Sequence, residues 1–273
     1  MMLINGATEL YGIIGNPVSH SLSPAMHNAA FAELGLNKVY VPFMVEDVNA
    51  ALPGLAALGV KGVSVTIPHK QTIIPLLDDL DPVAGRIGAV NTLVIDNGRL
   101  TGSNTDWLGA NTALSQLTEL TDCRVLLLGA GGAARAVGFG LKEAGADLTL
   151  ASRTPASGRE LSAALDCPWL PLSEVEGFGF KGAVLINATS VGMRPLDEDM
   201  PLPAAGLSAF DIVMDIVYSP LETRLLREAG KAGCRTINGL SMLLFQGAAQ
   251  FELWTGEQAP ITVMRRELEN RIR

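Results

Sequence analysis

The stretch Arg124-Val-Leu-Leu-Leu128 followed at once by Gly129-Ala-Gly131-Gly132-Ala-Ala134-Arg135 constrains the fold more than any other part of the chain. An uninterrupted apolar run of this length reads as a strand buried on both faces, which belongs in a parallel sheet. The glycines then turn the chain tightly into a helix that runs to about Ala144. Together they match G-x-G-x-x-A in its strand-to-helix setting, where backbone N–H groups at the positive end of a helix meet a pyrophosphate. Tight packing of a strand on a helix is the plainer use of the same glycines.

The next strand, residues 147–151, states which dinucleotide would fit. An NAD site usually ends this strand in Asp or Glu, which holds the ribose 2′-hydroxyl. Here it ends in Ser152-Arg153-Thr154. A guanidinium suits a 2′-phosphate through a charge-assisted, bidentate bond, the alternative being a solvated loop arginine. Farther on, Asn187-Ala-Thr-Ser190 ends another apolar strand, where its loop can line the cofactor crevice.

Strand and helix patterns alternate through the first half as well. Strands are expected at residues 11–14, 39–43, 62–67 and 90–95, with helices at 24–34, 48–58 and 71–77 between them. This is a βαβ series and predicts a mostly parallel sheet. Asp96-Asn97-Gly98 marks a tight hairpin into residues 99–103, because Asn-Gly accepts the positive φ angles that such a turn needs. Residues 106–120 read as a connecting helix. The fold class is therefore α/β.

At 273 residues the chain is long for a single core, and one large or two smaller domains are expected. Twenty Lys and Arg against 28 Asp and Glu give a formal net charge of −8, with no basic run. That disfavours a nucleic acid or an anionic membrane as partner, and leaves an anionic substrate dependent on local donors. Cys123, Cys167 and Cys234 are widely spaced and odd in number, so neither a disulfide framework nor a structural zinc site is indicated. His20, His27 and His69 lack metal-ligand spacing, and no metal is expected. No targeting pattern or membrane-length apolar run is present, which reads as a cytoplasmic, soluble chain.

Within SVTIPHK, Ser64 to Lys70, an alternating strand ends near Pro68 and a lysine follows two residues later. Taken alone, Lys70 is a helix-start lysine, and Asp106 is an N-cap before an apolar helical run. Ser23 before Pro24 likewise reads as an N-cap with proline at the first helical position. A helix N-terminus flanked by the hydroxyls of Ser21 and Ser23 is equally a carboxylate site.

SHSLSP (19–24), SVTIPHK, AVNT (89–92), NTDWLG (104–109), GAGGAARA, SRT, NATSVGM (187–193) and NGLSMLLFQGA (238–248) occur in an order that resembles the shikimate dehydrogenases. The resemblance spans nearly the whole chain. It implies a substrate domain at residues 1–105, completed by C-terminal helices in 240–273, and an NADP-binding Rossmann-like domain at 106–239. It also implies interconversion of 3-dehydroshikimate and shikimate with NADPH, a step of aromatic amino acid biosynthesis. Lys70 and Asp106 are then the acid–base pair. Ser21 and Ser23 take the substrate carboxylate, with Ser21 carrying more of the binding, and Tyr218 borders that carboxylate. Thr66, Asn91 and Gln246 take the ring hydroxyls. The cofactor set is Gly129, Ala130, Gly131, Gly132, Ala133, Ala134, Ser152, Arg153, Thr154, Asn187, Thr189, Ser190, Ile216 and Gly239. The assembly is left open, a homodimer included.

Two positions depart from the family pattern: Ser64 and Ser152 both stand where asparagine is common. A second arginine expected shortly after Arg153 is Arg159, displaced by a residue or two. Three alternatives stand beside this reading: a paralogue that prefers quinate or an amino-substituted analogue, a non-catalytic NADP-responsive module, and a folate-linked dehydrogenase of similar layout. The joint presence of Lys70, Asn91, Asp106 and Gln246 argues against the second, and the SHSLSP and NTD segments against the third.

Overall fold

In the computed structural model, which describes residues 4–177, 179–181 and 183–272, the alternating pattern becomes two six-stranded sheets. Packing divides the chain into two units: residues through Thr105 with those from Leu244 onward, and Asp106–Leu243.

The first unit runs β1 (Glu9–Gly15), α1 (Ser23–Glu33), β2 (Lys38–Met44), α2 (Val48–Ala57), β3 (Gly62–Val65), α3 (His69–Thr72), β4 (Asp79–Leu80), α4 (Pro82–Ile87), β5 (Thr92–Asp96) and β6 (Arg99–Ser103). The sheet order is β2-β1-β3-β5-β6-β4. β1, β2 and β3 are parallel, while β5 is antiparallel to both β3 and β6. The β5–β6 hairpin turns where expected, with φ of 49° at Asn97 and 80° at Gly98.

The expected helix at 71–77 is replaced by the four residues of α3 and a 3-10 turn, Ile74–Leu76. Pro75 lies in that turn and has no N–H for an α-helical bond. β3 ends at Val65 rather than residue 67, because Thr66 already accepts the turn bond from the His69 N–H at 2.9 Å. Side chains alternate along β3: Val63 and Val65 enter an apolar core with Leu52, Val90 and Leu93, and Gly62 and Ser64 face the other way.

The second unit opens with α5 (Asp106–Ser115), followed by β7 (Arg124–Leu128), α6 (Gly132–Glu143), β8 (Asp147–Ser152), α7 (Pro155–Leu165), β9 (Trp169–Pro171), β10 (Ala183–Asn187), β11 (Phe210–Asp215), α8 (Arg224–Lys231) and β12 (Arg235–Ile237). The paired strands are parallel, in the order β12-β11-β10-β7-β8-β9. The winding direction reverses between β7 and β10, the crevice where doubly wound sheets of this order receive a ligand. Leu126, Leu127 and Leu128 are fully buried, as an all-apolar central strand requires. α5 stops at Ser115, five residues short of the expected end.

α9 (Gly239–Thr255) and α10 (Ile261–Ile272) complete the chain, and the division between the units falls within α9. Its later turns pack on the first unit's sheet. Gln250 and Trp254, one helical turn apart, meet Ser64 and Gly62, two residues apart on β3. A Cβ on Gly62 would lie 2.5 Å from the indole nitrogen of Trp254, so the residue must be glycine. No helix of the described residues is long and apolar enough to cross a membrane.

Candidate active site

At the reversal point of the second sheet, Gly129 follows β7 with φ of +114°, and a Cβ there would lie 2.9 Å from the Ala188 carbonyl oxygen. Both conditions demand glycine. Gly131, exposed, forms the N-cap of α6; no side chain caps that helix, and a Cβ on Gly131 would meet nothing within 4 Å. The first-turn N–H groups therefore keep an open approach of the kind that suits an anion. Ala130, Gly132 and Ala133 are half-buried around the turn, and Ala134 is buried beneath it.

At the end of β8 the Ser152 hydroxyl donates to the Thr154 carbonyl at 3.0 Å and accepts from the Trp169 indole N–H at 3.0 Å. Ser152 is thus buried scaffolding for the turn, on which Arg153 and Thr154 stand exposed. The Arg159 guanidinium lies over the Trp169 ring, 5.1 Å from its centroid.

The ends of β10 and β11 share a polar cluster. Asn187 Oδ1 accepts from the backbone N–H of Thr189 at 3.1 Å and from its hydroxyl at 2.7 Å; Asn187 Nδ2 donates to the Val191 carbonyl at 3.1 Å and to Asp215 at 3.0 Å. Ser190 is exposed at the tip. The Ile216 N–H donates to the Asn187 carbonyl at 3.1 Å. A Cβ on Gly239 would collide with the Ile216 carbonyl oxygen, so α9 can begin there only with glycine. Tyr218 is half-buried, and burial pushes its phenol above the ordinary range. Asp106, expected as an N-cap, is instead the buried first residue of α5. The Thr105 hydroxyl just before it is held by Asn91 at 3.0 Å and so belongs to another network.

In the first unit, Lys70 sits on α3, between His69, whose Nε2 pairs with the Val45 carbonyl at 2.8 Å, and the rest of the turn. Its own carbonyl accepts from the Val90 N–H at 2.7 Å. Thr66 is half-buried, with its methyl filling the space that a Cβ on Gly15 would need. Ser23 is not the N-cap. Leu22 holds that position, no side chain caps α1, and the Ser23 N–H reaches back to Ser21 Oγ at 3.3 Å. Proline at the second helical residue shifts the start by one.

Asn91 and Gln246, distant in sequence, come together: Asn91 Nδ2 donates to Gln246 Oε1 at 3.2 Å. Asn91 Oδ1 accepts from the Thr105 N–H at 2.8 Å and the Thr92 hydroxyl at 2.7 Å, so its amide has one allowed orientation. Because Gln246 turns its oxygen to Asn91, its NH₂ is the group presented elsewhere.

Against this geometry, comparison with known proteins is decisive. Residues 13–93 match the shikimate dehydrogenase substrate binding domain and residues 239–269 the shikimate 5′-dehydrogenase C-terminal domain. A shikimate dehydrogenase (NADP(+)) of Moorella thermoacetica is 49% identical, across 98% of this chain and 95% of that one. The chain belongs to the shikimate dehydrogenase family. Solved relatives agree: a shikimate dehydrogenase in complex with NADP+ has a TM-score of 0.91 at 42% identity, covering 99% of this chain and 98% of its own. The Thermus thermophilus enzyme in complex with NADP(H) and shikimate has a TM-score of 0.88 at 38% identity, covering 96% and 99%.

In this shikimate dehydrogenase family member, Ser64 is a link in a buried polar chain. Tyr40 donates to Ser64 Oγ at 2.6 Å, Ser64 donates to Gln250 Oε1 at 2.8 Å, and Gln250 Nε2 donates to the Asn91 carbonyl at 3.0 Å and to Thr92 at 2.9 Å. Sequence reading overlooked Tyr40 and Gln250. The signal was available for Gln250, which is spaced one turn from Gln246 in a mostly apolar helix. Asp215 and Thr223 were overlooked too, lying among apolar strand residues and after a loop.

Proposed function

We propose that this enzyme catalyses the reversible NADPH-dependent reduction of 3-dehydroshikimate to shikimate. The family match over nearly the whole chain carries the reading. The uncapped glycine turn and the exposed arginine after β8 support NADP over NAD, because the fold offers an anion site at α6 and no acid for a ribose 2′-hydroxyl. When bound, NADPH supplies the hydride. Gly129 to Ala134 would hold its pyrophosphate, and Arg153 its 2′-phosphate on the turn built by Ser152 and Thr154. Asn187, Thr189, Ser190, Ile216 and Gly239 would line the rest.

On the substrate side, Ser21 and Ser23 bind the carboxylate with Tyr218 beside it, and Thr66, Asn91 and Gln246 bind ring hydroxyls. Lys70 gives a proton to the carbonyl oxygen during reduction and takes it back during oxidation, with Asp106 holding it in position. An ammonium group there favours the transition state, in which that oxygen gains negative charge, over the ground-state ketone. A cytoplasmic location goes with this reading. Rates of dinucleotide reduction with shikimate and with quinate, each with NADP+ and NAD+, test it. Shikimate with NADP+ should be the best pair, and a preference for quinate or NAD+ would overturn it.

A further inference from the structure

Asp215 is fully buried at the end of β11, next in register to Asn187 at the end of β10. Its carboxylate meets only donors. Oδ1 accepts from Asn187 Nδ2 and from the Val217 N–H, both at 3.0 Å, and Oδ2 accepts from the Thr223 hydroxyl at 2.7 Å. Thr223 can donate in this way because it caps α8 as an acceptor, from the Leu226 N–H at 3.3 Å. Among the described residues no cation is paired with Asp215, and burial pushes its carboxyl up to about 6. A buried carboxylate without a cation is a poor choice for stability, and its three donors only partly offset the burial.

What the carboxylate does that an apolar group could not is orient Asn187. Only the NH₂ side of that amide can face an acceptor, so the oxygen is turned toward Thr189 and the loop that follows it. The second donor to Oδ1, the Val217 N–H, ties down the turn after β11. We propose that Asp215 is a positioning residue for the cofactor, holding Asn187 and Val217 so that the segments Thr189–Val191 and Ile216–Val217 keep one arrangement. It rests on the reading above, that these segments line the NADP site.

The groups facing the carboxyl are the Asn187 amide from β10, the Val217 N–H and the Thr223 hydroxyl at the start of α8. The charged residues of α8 are engaged elsewhere: Arg224 with the Glu198 carbonyl, Arg227 with Glu198 and Glu228, and Lys231 with Glu228. On the β12 flank, Ile237 is paired with Met214, and Arg235 donates to the Leu117 carbonyl. The three donors favour the ionised carboxylate, so the loops are held best above the carboxyl's pKa and released as it is protonated.

The test is direct binding of NADP+ and of shikimate, with thermal melting, to the wild-type protein and to Asp215→Asn, Thr223→Val and Thr223→Ser. Asp215→Asn, whose NH₂ would oppose at least one of the three donors, should bind NADP+ about ten-fold more weakly near pH 8 and bind shikimate as the wild type does. The 2′-phosphate of NADP+ titrates in the same range as Asp215, so the pH series is compared between variants. From about pH 8 to about pH 5 the wild type should lose NADP+ affinity more steeply than Asp215→Asn. Thr223→Val should weaken NADP+ in the same direction, and Thr223→Ser should not. Should Asp215→Asn fail to fold, the Thr223 pair decides: equal NADP+ affinity in the two overturns the proposal. So does an Asp215→Asn protein with wild-type affinity and pH profile, or one in which both affinities and the melting temperature fall together. A wild-type protein that binds shikimate but no NADP+ overturns the site reading itself.

Discussion

The two units bury their polar groups in opposite ways. In the first, the chain Tyr40, Ser64, Gln250, Thr92, Asn91 is built from neutral hydroxyls and amides, each donor matched to an acceptor. In the second, the corresponding cluster is centred on a carboxylate, Asp215. A titratable group in the first unit's core is His27, whose ring nitrogens have no hydrogen-bond partner within bonding distance among the described residues and whose pKa burial pushes down to about 3. It is stacked on Tyr40 at 4.5 Å, and the side chain of Gln250 opposes the lowering.

Acid should therefore act on the units with opposite sign. His27 stays neutral when folded but is protonated when unfolded below its ordinary 6.5, so its contribution is present above 6.5 and is lost as pH falls toward about 3. Asp215 has a folded pKa of about 6, above its ordinary 3.8, so the protein is relieved of a burial penalty as pH falls through that window. A buried network of neutral groups is indifferent to pH, and a single misplaced charge is not.

The largest effect expected belongs to the first unit. Lys70→Ala should lower kcat by about 10²–10⁴, the range for a positioned acid–base group, while NADP+ affinity stays at the wild-type value. Single-turnover hydride transfer and equilibrium binding measure the two separately. Under the proposed acid–base role, Asp106→Ala should also be slow, and the double variant much less than multiplicatively worse. A Lys70→Ala enzyme that turns over normally and binds shikimate poorly would make the lysine a clamp.

Arg153→Ala should do the converse. Loss of a hydrogen bond to a charged group of about 1.5–3 kcal/mol corresponds to NADP+ binding weakened about ten- to a hundred-fold, with NAD+ unchanged. Equal losses for both dinucleotides would show that the arginine supports the turn and not the phosphate.

Next comes the acid response. Below 6.5 the wild type should lose about 1.4 kcal/mol per pH unit through His27. Urea unfolding at a series of pH values should show this limb flattened in His27→Leu and steepened in Asp215→Asn, which lacks the compensating relief. Parallel limbs in all three proteins would remove the contrast. The smallest effect is Ser64→Ala, which strips partners from Tyr40 and Gln250 and should destabilise by about 1–2 kcal/mol, equally at every pH.

Much of this was legible in order along the chain. The apolar strand and glycine turn at 124–135, the Asn97-Gly98 hairpin and the βα alternation all became the elements they announced, because backbone geometry dictates them locally. Boundaries were less legible. The 71–77 helix broke into two turns around a proline, and the Ser23 cap moved to Leu22 with proline at the second helical residue, since local signals leave a helix end open by a residue or two.

Composition, periodicity and motif spacing determined an α/β chain with a dinucleotide turn and an arginine in place of an acid after β8, while the resemblance to a known family, and not spacing, named Asn91 and Gln246. That Gln246 and Asn91 share a hydrogen bond, that Gln250 accepts from Ser64, and that Asp215 sets the amide of Asn187 are decided by tertiary structure. The reason is range. Backbone preferences act over a few residues, whereas a buried polar group must find its partner wherever the packed core brings one, and here those partners lie 155, 186 and 28 residues away.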